Sequence, residues 1–207
     1  AQRALQLRAG RLLADDGQID AALRLLLDAA HWPEAQALLL RSAADYLASG
    51  RSEALRQNID QLPETERTTL RYWRGLSLLD SAPGLALLDL EAAYHNRLAV
   101  ADVDGQLSAA AAICTALVST RRFAALDCWL TVMGTHGQRV AVRQRDAVEM
   151  CWVPGFLAAV VYRAPWHALA DGLAERAERL LHHESAPGQR LLLASLAFHL
   201  LWRGHVD

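Results

Sequence analysis

Between Leu5 and Leu200 the apolar residues fall repeatedly at three- and four-residue spacing, in segments separated by turns of only a few residues. This constrains the fold more than any other feature. The spacing puts an apolar stripe on one face of an α-helix, and two helices joined by so short a turn must return antiparallel. Leu5, Ala9, Leu12 and Leu13 make the first stripe, ended by Asp16-Gly17, and Ile19, Ala22, Leu26 and Ala29 make the second. Pro33 stands where a first-turn proline belongs, and Leu39, Ala43, Tyr46 and Leu47 carry a third helix to Ser49-Gly50. Leu55, Ile59 and Leu62 form a fourth, stopped at Pro63. The grammar continues through Tyr72, Leu76 and Leu79, then Ala86, Leu90, Ala93 and Tyr94, then Leu107, Ala110, Cys114 and Leu117, then Leu126, Trp129, Leu130 and Met133. A long helix is expected from about Val140 to Tyr162, kinked or split at Pro154-Gly155. Trp166, Leu169, Ala170, Leu173 and Leu180 mark the next, and Leu192, Leu196, His199 and Leu200 the last. The expectation is an all-α chain of about eleven helices without strands, forming one continuous stack.

The turns repeat as well. Gly17, Gly50 and Pro83 stand about 33 residues apart, and that offset superposes Leu7, Leu40 and Trp73, then Arg8, Arg41 and Arg74, then Ala9, Ser42 and Gly75. A small residue at a fixed point of each first helix is what close crossing of two hairpin helices requires. The period is close to that of a tetratricopeptide repeat, which predicts helical hairpins stacked as an α-solenoid, a right-handed superhelix. A single helical-repeat domain over residues 1–207 is expected, more regular over 1–100 and with longer, irregular helices over 101–207. Gly204-His205-Val206-Asp207 echoes Gly17-Gln18-Ile19-Asp20, and the chain opens at Ala1 inside a helical pattern. Since a repeat array must cover the apolar faces at its ends, the expectation is a segment of a larger protein.

Composition narrows the function. The chain is 53% hydrophobic and 21% charged, which sets disorder aside, and its apolar content is mostly Ala and Leu, which favour helix over strand. All 21 basic residues are Arg. The absence of Lys removes the phosphate-loop lysine, the Schiff base and the Ser-Lys dyad together. A net charge of -2 argues against a nucleic-acid surface. Arg139, Arg143 and Arg145 form the densest basic run, read as a solvated face. Cys114, Cys128 and Cys151 form no Cys-x-x-Cys pair and read as small core residues of a reducing cytoplasm. No apolar stretch is long enough to span a bilayer.

The motifs with possible chemistry have plainer readings. His182-His183-Glu184 lacks a partner one helical turn away, so no metal is expected there. Asp102-Val103-Asp104-Gly105 imitates part of a calcium loop but lacks the acidic residue at the twelfth position, so a turn and helix cap are expected. Leu62-Pro63-Glu64-Thr65 reads as a helix start, and most of the six Trp as core. No nucleophile, base or ligand set stands at workable spacing, so the chain is expected to be no enzyme and to need no cofactor.

Two stretches resemble a known family. They are Arg8-Ala9-Gly10-Arg11-Leu12-Leu13-Ala14-Asp15-Asp16-Gly17 and Ala21-Ala22-Leu23-Arg24-Leu25-Leu26-Leu27-Asp28-Ala29-Ala30-His31-Trp32-Pro33-Glu34-Ala35. Leu62-Pro63 with Leu70, Trp73 and Gly75, Glu91-Ala92-Ala93-Tyr94 and Asp104-Gly105-Gln106 extend the likeness over residues 4 to 130. Together they resemble the helical-repeat region of MalT-type regulators, the large ATP-dependent transcriptional activators related to the LuxR family. The resemblance implies a cytoplasmic, multidomain bacterial regulator with a nucleotide-binding switch and a DNA-binding module elsewhere. This chain would be the arm that senses a small effector or a protein partner, without itself touching nucleic acid. The alternative is a stand-alone tetratricopeptide adaptor for an extended peptide or helix. In either case the candidate contacts are Arg8, Arg41 and Arg74, with Tyr72 and Trp73 supplying apolar surface. The three arginines either line a concave groove for an acidic ligand or form a solvated ladder with local acidic partners.

Overall fold

The computed structural model describes residues 2–140, 146–181 and 189–204, apart from the side chains of 136–140 and 146–148. Among the described residues every regular element is helical, as the stripes predict. The chain divides into two compact units, one ending at Leu78 and one beginning at Leu79.

The first unit contains α1 (Gln2–Asp15), α2 (Ile19–Asp28), α3 (Trp32–Ala48), α4 (Ser52–Asp60), the short α5 (Glu64–Arg67) and α6 (Arg71–Leu78), with a 3-10 turn at Thr68–Leu70 between the last two. Helices α1 to α4 each pack on the next, α6 packs on α4 and α5 on α3, and the core is Leu23, Leu26, Leu38, Leu39, Tyr46, Leu55, Ile59, Leu62 and Leu70 with interleaved alanines. One part of the expected pattern is corrected. The inner face of α1 carries Leu7, Gly10, Leu13 and Ala14, while Leu5 and Leu12 are about two-thirds exposed. Gly10 decides the rotation, because a Cβ there would stand 2.8 Å from Leu26 Cδ2. The face that lets α2 come closest is the one turned inward. Polar ties join successive hairpins: the Tyr46 hydroxyl donates to Asp20, and Arg51 bonds Asp20 at 2.8 Å while its guanidinium lies over the Tyr46 ring.

The second unit contains α7 (Pro83–Ala99), α8 (Val103–Ser119), a 3-10 turn at Phe123–Ala125, α9 (Leu126–Val140), α10 (Asp146–Arg163), α11 (Ala170–Leu180) and α12 (Gln189–Arg203). Helix α10 is its axis, packed by α8, α9, α11 and α12 and buried almost continuously from Trp152 to Val161. Helix α10 is not split at Pro154-Gly155, and Pro154 lies inside it. Gly155 explains the sequence pair differently: a Cβ there would run into the Ala111 carbonyl, so the glycine allows α8 and α10 to touch backbone to backbone. The expected start near Val140 adjoins residues 141–145, which lie outside the described residues; α9 is described to Val140 and α10 from Asp146. Cys114 is core, but Cys128 and Cys151 lie at the surface, against expectation. Only Trp152 among the tryptophans is fully buried, and Trp166 belongs to the turn before α11 rather than to its stripe.

Three-residue turns end α1, α2, α3, α7 and α8 in one way. A left-handed residue follows the helix, and its amide and the next reach back to two terminal carbonyls, as Gly17 to Ala14 and Gln18 to Leu13. Gly17 and Gly50 fill that position in the first and third turns, but Ala30, Ala101 and Arg121 fill it in the others, with φ between 53° and 57°. Asp102 is a helix cap, accepting the Gly105 amide at 3.0 Å, and Pro63 opens α5, both as expected.

Candidate functional site

The five residues singled out by sequence all lie in the first unit, and the structure separates them by environment. Arg8 on α1 and Arg41 on α3 are exposed, and among the described residues neither makes a hydrogen bond or ion pair. Arg74 on α6 is half-buried, and its Nε donates to Asp60 Oδ1 at 2.7 Å. Asp60 also receives Arg56 at 3.0 Å, and Arg56 reaches on to Glu53. Arg74 therefore belongs to a network tying α6 to α4. Tyr72 is buried, and Trp73 packs against the core of the unit, with the two rings edge to face at 5.3 Å. Of the recurrent small residues, Ser42 and Gly75 are buried, whereas Ala9 is only partly buried and its neighbour Gly10 is the residue of α1 turned against α2. Beside Arg8 and Arg41, the exposed apolar groups of the first helices are Leu5, Leu12 and Leu40.

The second unit holds surface that sequence reasoning missed. An open groove of about 520 Å³ is lined by Asp127, Leu130, Thr131, Gly134, Thr135, Ala164 and His167. Its polar groups are largely committed. Arg163 grips Asp127 through two bonds of 2.7 and 2.8 Å and holds its carboxyl below the usual range. The two threonine hydroxyls donate to carbonyls one turn back, and His167 Nδ1 accepts the Leu169 amide. Nearby in sequence, Trp166 is 80% exposed. Phe123 stacks on Tyr162 at 5.9 Å, Tyr162 meets Phe198 at 5.7 Å, and Trp202 lies exposed one turn beyond Phe198.

A third constellation lies between α10 and α11. Glu149 is fully buried and receives Arg176, with Arg179 Nη2 at 3.4 Å from its other oxygen. The Arg176 guanidinium lies over the Trp152 ring, 5.6 Å from its centroid, and Trp152 Nε1 is buried without a hydrogen-bond partner. Nothing in the sequence distinguishes this glutamate from a surface one. The four residues sit one helical turn apart in pairs, and only the packing of the two helices joins them.

Among the described residues no group of three or more His, Cys, Asp or Glu is placed to hold a metal ion. His182, His183 and Glu184 lie outside the described residues, as do Arg143, Arg145 and the side chain of Arg139. No helix among the described residues is long and apolar enough to cross a membrane. No protein-family model, curated protein or solved structure matches the chain.

Proposed function

We propose that this chain is the effector- or protein-binding arm of a multidomain bacterial transcriptional regulator of the MalT type, a cytoplasmic helical-repeat array without catalysis of its own. The observation that carries the reading is the first-helix surface of the repeats. Arg8 and Arg41 recur at the repeat period, are exposed and have no acidic partner among the described residues, and they stand among exposed Leu5, Leu12 and Leu40. Guanidinium forks beside exposed aliphatic side chains suit a ligand or partner that combines a carboxylate with apolar surface. Among the five sequence candidates, Arg8 and Arg41 are the ones this reading retains as direct contacts. Arg74, Tyr72 and Trp73 support the frame that carries them.

The test begins with the complete gene. An upstream phosphate loop and a helix-turn-helix support the regulator, whereas a short free-standing gene favours the alternative, an adaptor for an extended peptide or helix. Turnover of a nucleotide by the purified chain itself would contradict the assignment of a purely binding role.

A further inference from the structure

Helix α12 is apolar almost all round, a pattern normal for a helix covered on every side. It is covered on one. Leu192, Ser195, Leu196 and His199 are buried, and the helix packs on α10 and α11. The opposite face presents Arg190, Ala194, Ala197 and Leu201, all exposed, at spacings of four, three and four residues. That spacing makes a helix-pairing seam. Leu193 flanks it on one side and Phe198 and Trp202 on the other, each 43 to 66% exposed. The patch continues onto α10, where exposed Tyr162 meets the Phe198 ring. Among the described residues nothing covers this face. It offers roughly 700 Å² per chain, above the usual largest apolar patch of a monomer and close to the ~800 Å² per partner of a stable interface.

We propose that this face joins two copies of the chain, with α12 lying antiparallel against α12 of the second copy across a two-fold axis. A two-fold interface must be complementary to itself, and a seam spaced four, three, four reads the same from either end. About its midpoint Ala194 falls opposite Ala197 of the second copy, so the helix axes approach closely where the side chains are smallest. Leu193, Phe198 and Trp202 fill the margins. Arg190 falls opposite Leu201 of the second copy, which leaves the two Arg190 side chains at opposite ends of the seam, about 16 Å apart along the axis. Parallel pairing would set these like charges side by side, so charge selects the antiparallel arrangement. The inference does not rest on the regulator assignment or on Arg8 and Arg41.

The test is sedimentation equilibrium of the purified chain and its variants. The expected result is a reversible dimer of the 22.7 kDa chain. Ala197→Glu puts a long charged side chain at the closest approach and should raise the dissociation constant about ten-fold or more, with an unchanged circular dichroism spectrum. Leu201→Arg, facing Arg190 of the second copy, should weaken the dimer more than Leu201→Glu, which offers that cation a partner. Leu88→Glu, at an exposed leucine of α7, should leave the dimer intact. Equal effects of Leu201→Arg and Leu201→Glu, an Ala197→Glu variant that sediments as the parent does, or dissociation by Leu88→Glu would each overturn the proposal. So would a monomer at about 100 µM, and a fall in its thermal midpoint with Ala197→Glu would assign the face to other residues of the same polypeptide.

Discussion

Gly155 and Gly10 show how a single missing Cβ sets the distance between helices. At Gly155 the obstacle to a side chain is the Ala111 carbonyl, part of a helix that cannot shift locally. At Gly10 it is the end of the Leu26 side chain, which can turn away. Gly155→Ala is therefore expected to lower unfolding stability by about 3 kcal/mol and Gly10→Ala by about 1 kcal/mol, measured by urea denaturation. Equal effects would mean that α8 and α10 adjust more freely than their packing implies. The left-handed turn residues divide the same way. Ala101 and Arg121 carry a Cβ where the backbone disfavours one, so replacing either with Gly should raise stability by about 0.5 kcal/mol, whereas Gly17→Ala should lower it by about 1 kcal/mol.

Among the helices, α8 has the clearest start. Burial pushes the Asp102 carboxyl up, but the Gly105 amide and the Arg97 guanidinium outweigh it and hold its pKa below the ordinary aspartate value. A carboxyl depressed in the folded state stabilises it fully above the unfolded pKa and loses that contribution as pH falls through the folded one. The cap should thus contribute unchanged at neutral pH and fade below about pH 4. Asp102→Asn keeps an acceptor for Gly105 but cannot titrate, so its stability should vary less than the parent's between neutral pH and pH 3. Parallel pH profiles for the two proteins would remove Asp102 from the account. The clasp between α2 and α3 depends on Tyr46, whose hydroxyl pKa is raised by burial first and by Asp20 second. The raised value keeps the donor protonated through the alkaline range, so its contribution is present below the unfolded tyrosine pKa and is lost only as pH rises towards the folded one. Tyr46→Phe should cost about 1 to 2 kcal/mol at neutral pH.

For the molecule as a whole, the candidate arginines make separable predictions. Arg8→Ala and Arg41→Ala should leave the thermal midpoint unchanged, as neither side chain has a partner among the described residues. If the proposed function holds, each should weaken partner binding by about 1 to 3 kcal/mol. Arg74→Ala should instead cost about 1 kcal/mol of stability, because it opens the Asp60 network on a half-buried surface. A thermal midpoint for Arg74→Ala equal to the parent's, measured by calorimetry, would return Arg74 to the free surface that its spacing alone implied.

The sequence by itself determined that the chain is helical, where most helices stop, and which residues fill most of the core. These follow from local physics: three- and four-residue spacing makes a stripe, glycine takes the left-handed position after α1 and α3, and proline and aspartate open helices. Leu39, Ala43, Tyr46, Leu55 and Ile59 are buried as their spacing requires. What only the tertiary structure decided is which of two apolar faces turns inward and which charged groups meet. Helix α1 carries leucines on both sides, and the approach of Leu26 to Gly10 settles its rotation. Arg8, Arg41 and Arg74 occupy equivalent places in the repeat, yet only Arg74 finds Asp60, which stands fourteen residues earlier on another helix. Glu149 is hidden among the many acidic residues of the sequence until α11 brings two arginines onto it. Spacing is a property of one helix, whereas pairing is a property of two, and the second is fixed only when they pack.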